Sequence, residues 1–255
     1  MADPVRPAGD YRAGMAMRTQ VARTVELWRL FRSERTDPGA FYRRLAADGV
    51  AGLERRHGSL AGRRIADVGC GPGYYTEAFR AAGATVVPVE YDAGELRLAG
   101  TPPPDAVLGD AQRLPIATAA LDGIFSSNML EHAPRPGLVI DEMVRVLAPG
   151  GWGYLSFTNW YSPWGGHEMS PYHLLGPDRG VRAYERRHGT DHKHHVGDNL
   201  FVTHIGPTLR DFAGRRDVEV LRVEPRYYPW AAPIMRVPGV RELLAWNCVV
   251  RFVKR

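Results

Sequence analysis

The spacing of apolar and polar positions changes several times along this chain, and each change marks an element. Between 15 and 32, Val21, Val25, Trp28 and Phe31 recur at helical intervals and predict an amphipathic helix. Asp37-Pro38 supplies a start for a second helix, which runs toward His57. From Ile65 onward, short apolar runs alternate with helical stretches. The runs at 65–68, 84–90, 106–111 and 121–128 predict buried strands, with a helix over 75–82 after the first. A helix over 136–147 precedes a fifth strand at 152–157. Strand and helix in alternation imply a parallel sheet covered on both faces. Past residue 199, a helix over 200–212 is expected to break or end near Gly206-Pro207, followed by strands at 217–223 and 244–253. The first 13 residues, with Pro4, Pro7 and Gly9, read as a loose segment.

The loop after the first strand is the densest signal. Asp67-Val68-Gly69-Cys70-Gly71-Pro72-Gly73 ends an apolar run in an acid and then places glycine at alternate positions. Glycine lets the chain turn tightly and lets a ligand approach the backbone. The helix that follows presents unpaired N–H groups to an electron-rich ligand. The dinucleotide fingerprint G-x-G-x-x-G is not met, because Tyr74 occupies its last position. An acid at 67 suits a ligand carrying a positive group, such as an amino-acid ammonium.

Further acids close the later strands. Glu90 ends the second, 23 residues after Asp67, an offset that suits hydrogen bonds from ribose hydroxyls. Asp110 ends the third, and Ser127-Asn128 end the fourth.

In these segments the chain resembles the class I S-adenosylmethionine-dependent methyltransferases. The matching motifs are Asp67 to Gly73, Glu90, Gly109-Asp110-Ala111-Gln112-Arg113-Leu114-Pro115 and Leu147-Ala148-Pro149-Gly150-Gly151, across roughly residues 60–158. The resemblance implies an α/β fold: a Rossmann-like, doubly wound, seven-stranded, mostly parallel sheet whose direction reverses at the final strand. It also implies S-adenosyl-L-methionine as cofactor. Gly69, Gly71 and Gly73 would line its methionine and ribose, and Asp67 would orient the ammonium directly or through water. Glu90, in place of the commoner Asp, would hold the ribose hydroxyls, and Tyr91 would pack on the adenine. Asp110 and Ala111 would also sit at the adenine, while Ser127 and Asn128 would lie near the methyl group. His132 occupies a family-like position after the fourth strand and shapes the site.

Two units are expected: an N-terminal helical segment at 1–60, and a methyltransferase domain at 61–255 carrying a cap at 158–199. The cap segment is rich in Gly, Pro, His and aromatics and shows little periodicity, which marks a binding loop. Trp160, Tyr161, Trp164 and Tyr172 offer flat apolar walls. Transfer to a hydroxyl favours a nearby base, so His167, Glu168 and His173 are the catalytic candidates. His188, Asp191, His192, His194 and His195 add possible ligands, but their spacing matches no structural zinc pattern and no metal is expected.

Composition narrows the rest. With 255 residues and 44% apolar residues, the chain can bury one sizeable core. It contains no run of 18 apolar residues, so no membrane span is expected. The N-terminus carries no signal pattern and two cysteines make no disulfide framework, so a cytoplasmic location is expected. The net charge of +5 comes from scattered arginines, with only Lys193 and Lys254 as lysines, and no nucleic-acid motif is present. The expected acceptor is therefore a small molecule methylated on oxygen, such as a natural product or a glycosylated intermediate. The oligomeric state is not legible. An RNA methyltransferase and a non-catalytic cofactor-binding module of the same fold remain as alternatives.

Overall fold

The computed structural model describes residues 17–32, 38–98 and 101–255. The loose segment expected at 1–13, the helix start at Met15 and the Asp37 cap lie outside them. Helices α1 (Met17–Arg32) and α2 (Pro38–His57) precede strand β1 (Arg64–Val68). Strands and helices then follow as α3 (Tyr74–Ala81), β2 (Thr85–Glu90), β3 (Val107–Leu108), β4 (Leu121–Ser127), α4 (Pro136–Val146) and β5 (Leu147–Thr158). The chain closes with α5 (Pro177–His188), α6 (Ile205–Gly214), β6 (Val218–Pro225), α7 (Val240–Leu244) and β7 (Asn247–Lys254).

The seven strands form one sheet in the order β3-β2-β1-β4-β5-β7-β6. β1, β2, β3, β4 and β5 pair in parallel, while β7 runs antiparallel to both β5 and β6. This is the doubly wound, mostly parallel sheet that the motifs implied. Its two faces bury different sets. Val139, Ile140, Met143 and Val144 of α4 lie at helical spacing and pack with Ile124, Leu155 and Phe252. On the other face Val50 and Leu53 of α2 and Phe79 of α3 pack with Ile65, Phe125 and Trp152. Proline at the start of α4 suits a position whose N–H has no helical partner.

Register brings the site together. At the carboxyl end of β1, Val68 aligns with Val89 of β2 and Ser126 of β4. The loops that begin at 69, 91 and 128 therefore leave the sheet side by side. Strand order reverses outward from β1, and that crevice is where ligands bind in open α/β sheets.

Several sequence expectations change. On α1, Val25 and Trp28 are exposed, at 42% and 56%, while Leu27 is buried. Leu27 packs with Phe41 and Leu45 of α2, so α2 covers a neighbouring stripe; the side chains of Val21 and Phe31 lie outside the description. The third strand shrinks to two residues, because Ala106 and Gly109 leave the ladder on either side. Gly206 and Pro207 sit in the first turn of α6 rather than ending a helix, since a proline near a helix start removes no needed N–H. Residues 240–244 are helical, which delays the last strand to Asn247.

The cap is more ordered than its composition predicts. It holds short 3-10 turns at His167–Met169 and Tyr172–Leu175 and then helix α5. α5 is strongly polar and buries only Gly180, so hydrophobic periodicity gave no sign of it. Its termini carry the local signals, with Pro177 at the start and Gly189 at the end. Trp160 and Met169 of the cap form a small core with Leu200, which follows its last residue.

Candidate active site

The glycine loop fits its ligand role through backbone geometry. Gly69, Gly71 and Gly73 have φ of +71°, +50° and +89°, a region that side chains with a Cβ rarely adopt. A Cβ at Gly69 would stand 2.6 Å from Met129 Cγ, and one at Gly73 would stand 2.6 Å from Pro103 Cγ. At Gly71 a Cβ would meet nothing within 4 Å, so that edge of the loop is open. The loop is pinned to the sheet because Gly69 N–H donates to Val89 O at 2.8 Å.

Glu90 closes β2 and is nearly buried, at 9% exposure. Its Oε2 accepts from Gly71 N–H at 2.8 Å, and its Oε1 accepts from the N–H groups of Tyr91 at 2.8 Å and Asp92 at 3.1 Å. One carboxylate thus joins the end of β2 to the glycine loop. Tyr91 is 78% exposed, leaving its ring face available for stacking. Asp110 Oδ1 accepts from Gln112 N–H at 2.8 Å, which shapes the turn carrying half-buried Ala111.

Asp67 lies behind the loop, almost fully buried, and accepts from Thr76 Oγ1 of α3 at 2.7 Å. Burial pushes its carboxyl up to about 7; the Thr76 hydrogen bond works against this and the nearby Glu90 charge adds to it. A cation placed beside Asp67 would reverse the shift, which is the electrostatic case for an ammonium there.

Ser127 is half-buried at the end of β4, and Asn128 has φ of +55°, a conformation that Asn tolerates better than most residues. Asn128 N–H donates to Ser156 O at 2.8 Å, and its Oδ1 accepts from Arg226 Nη1 and Asn247 Nδ2, both at 2.7 Å. Arg226 also donates to Tyr75 Oη at 2.7 Å. This buried network fixes the end of β4 against β6 and β7. Sequence reasoning missed Arg226 and Asn247, because single polar residues beside late strands carry no motif.

The expected catalytic residues separate. His167 and Glu168 lie together with His132 and His194. Glu168 Oε2 pairs with His194 Nδ1 at 2.6 Å, and its Oε1 accepts from His194 N–H at 2.7 Å. Burial, then His194 and His132, push His167 down to about 3, so its ring is neutral throughout the physiological range. For Glu168, burial favours the neutral acid, but the hydrogen bonds from His194 and two backbone groups prevail and leave it at about 2. His173 stands elsewhere: its ring is buried edge-on to Trp160, with Nε2 3.0 Å from Ser162 O. Trp160 itself is buried in the cap core, whereas Tyr161 and Trp164 remain exposed, at 43% and 41%.

The expectation of no metal rested on linear spacing. Folding gathers one ligand atom from each of His132, His167 and His194 within 4.8 Å of one another. The three come from separate loops, so no short spacing reports them.

A glycine loop opening toward a buried acid, at the crevice of this sheet, defines a Rossmann-like methyltransferase domain. The family profile described as a methyltransferase domain matches residues 66–155. An uncharacterized methyltransferase of Mycobacterium marinum is 40% identical over 92% of this chain and 95% of its own length. Another, from Mycobacterium avium, is 42% identical over 92% and 96%. An S-adenosylmethionine-dependent methyltransferase structure from Mesorhizobium loti superposes with a TM-score of 0.53 at 21% identity, covering 77% of this chain and 93% of that one. The chain belongs to the class I S-adenosylmethionine-dependent methyltransferases. Among the described residues, no helix is long and apolar enough to cross a membrane.

Proposed function

We propose that this enzyme transfers the methyl group to an oxygen of a small molecule, in the cytoplasm, with the cap over 158–199 as the acceptor site. The observation that carries this reading is the attachment of the cap to the loop after β4. Glu131 Oε1 accepts from Thr158 N–H at 3.0 Å, Glu131 O accepts from Phe201 N–H at 2.8 Å, and His132 Nδ1 lies 2.6 Å from Asn199 O. Both ends of the cap are therefore fastened to the loop that this family places nearest the methyl group. The exposed faces of Tyr161 and Trp164 suit a ring or sugar face.

When bound, S-adenosylmethionine supplies an already activated methyl group. The protein's task is alignment of the acceptor and removal of its hydroxyl proton. Glu90 holds the ribose and Asp67 the ammonium, which fixes the donor end. Asn128, locked by Arg226 and Asn247, keeps the loop after β4 in place. His167, neutral and beside the Glu168–His194 pair, accepts the hydroxyl's hydrogen bond and then its proton as the oxygen takes the methyl group, and His173 braces the cap. The fully buried Cys248 and the buried Cys70 are held as thiols by their surroundings and take no part.

The acceptor reading is tested by incubating the enzyme with methyl-labelled cofactor and a metabolite extract. Label on an alkoxy carbon of a small product supports it. Label on RNA, or on nitrogen alone, contradicts it. His167→Ala is expected to lower turnover at least tenfold while changing cofactor affinity less than twofold. Full turnover in that variant would remove His167 from the reaction.

A further inference from the structure

We propose that His132, His167 and His194 form a binding site for a divalent transition-metal ion, with zinc the best match. Their available ligand atoms lie within 4.8 Å of one another. The ring centroids are 4.3 Å apart for His167 and His194, 5.1 Å for His132 and His167, and 5.4 Å for His132 and His194. Nitrogen ligands about 2.0–2.1 Å from a tetrahedral zinc stand roughly 3.4 Å from each other. The 4.8 Å bound exceeds that spacing by about 1.4 Å at most.

The surroundings of the rings match the second requirement of such a site. A ligating histidine almost always has its other ring nitrogen hydrogen-bonded to a carbonyl or carboxylate, which fixes the tautomer and the ring plane. His132 Nδ1 is engaged by Asn199 O, and His194 Nδ1 by Glu168 Oε2, both at 2.6 Å. Each therefore keeps Nε2 for a ligand. His167 Nδ1 is buried with no hydrogen-bond partner, a costly state for a polar atom unless something fills it. The His167 backbone is also held at φ +50°, outside the range a non-glycine residue normally takes. A strained backbone, an unpartnered ring nitrogen and two oriented neighbouring rings together make the arrangement expected of a ligand set.

The ligand type selects the ion. Three imidazoles suit zinc, copper, iron or nickel rather than magnesium or calcium. Three neutral nitrogens with an open fourth position resemble the catalytic rather than the structural zinc pattern. Glu168 supplies the nearby negative charge, while the adjacent Lys193 ammonium lies 2.5 Å from Glu95 Oε1. An ion here would join the loop after β4, through His132, to the cap, through His167 and His194. The site stands whether or not the acceptor is a hydroxyl. With a hydroxyl acceptor, His167 would act through the ion and not as a free proton acceptor.

The test is zinc binding by the full chain, without a polyhistidine tag, after dialysis against chelator. Titration calorimetry with zinc chloride is expected to give one ion per chain with submicromolar affinity. The cobalt-loaded protein is expected to show the visible absorption of a four- or five-coordinate ion. His132→Ala and His194→Ala should each weaken binding at least 100-fold, and Glu168→Gln by roughly 10- to 100-fold. His188→Ala, outside the cluster, should bind as the native chain does. Circular dichroism of each variant separates loss of the site from loss of the fold; a variant that fails to fold is replaced by His→Gln at the same position. Absence of stoichiometric zinc binding, or equal affinity in folded His132 and His194 variants, overturns the proposal. Zinc binding would replace the free-base role given to His167, but neither result decides which atom is methylated; the labelled-cofactor experiment does that separately.

Discussion

Replacing Asp67 with Asn isolates one buried charge in the proposed cofactor site. The substitution keeps the size of the side chain and leaves a carboxamide oxygen to accept from Thr76 Oγ1, now 2.7 Å from the carboxylate. Only the ionisation is lost. Burial holds the native carboxyl at about 7 against an ordinary 3.8. For an acid whose folded value is raised, the folded state binds a proton that the unfolded chain has already released. Stability is therefore full below pH 3.8, falls as pH rises toward about 7, and stays reduced above it. That interval corresponds to about 4 kcal/mol, as an upper figure for one fully buried group. Urea unfolding of the two proteins at a series of pH values measures the difference directly. Asp67→Asn should match the native chain at pH 4 and exceed its stability increasingly up to about pH 7, reaching several kcal/mol, or roughly 10 °C in Tm for a chain of this size. Affinity for the cofactor should move the other way. If the ionised carboxylate meets the ammonium, native affinity rises up to tenfold per pH unit between pH 5 and 7 and then levels, while the variant shows a weaker, flat profile. Stability curves for the two proteins that coincide within 0.5 kcal/mol from pH 4 to 9 would refute the buried-charge argument.

Two other substitutions probe the same crevice. If Glu90 accepts from both ribose hydroxyls, as proposed, Glu90→Ala removes two bonds of about 1.5–3 kcal/mol each with a charged partner, so cofactor affinity should fall at least roughly 100-fold by calorimetry. An affinity within twofold of native in the folded variant would take Glu90 out of the ribose site. Gly69→Ala places a Cβ 2.6 Å from Met129 Cγ at a φ of +71°. The left-handed conformation alone costs about 1–2 kcal/mol, so denaturant unfolding should show at least that loss along with weaker cofactor binding. Native stability would mean that the loop re-forms around the new side chain.

The strand-and-loop frame of the proposed cofactor site was legible in the sequence because its pattern is local. The glycines, Asp67 and Glu90 sit at strand ends, and strand ends are what apolar runs delimit. Parallel strands buried on both faces give continuous apolar runs, so β1, β2 and β4 announce themselves. The segment proposed as the acceptor site was legible only as composition. α5 is a polar helix whose single buried residue is Gly180, and no periodic pattern marks such an element. The His132, His167 and His194 cluster comes from positions 35 and 27 residues apart, brought together by the cap's attachment to Glu131. His173 and Trp160 looked like site residues because of their type, yet the cap needs them for its own core. Arg226 and Asn247 were silent for the opposite reason: each matters only through its contact with Asn128.

The most direct test of the whole account is a crystal structure of the full chain with S-adenosylhomocysteine. The account predicts the ribose on the Glu90 carboxylate, the adenine between Tyr91 and Ala111, and the amino-acid end over Gly69 and Gly71 toward Asp67, with the sulfur turned to the loop that carries Asn128 and His132. The nucleoside lodged away from this crevice, or no nucleoside bound at saturating concentration, would contradict it.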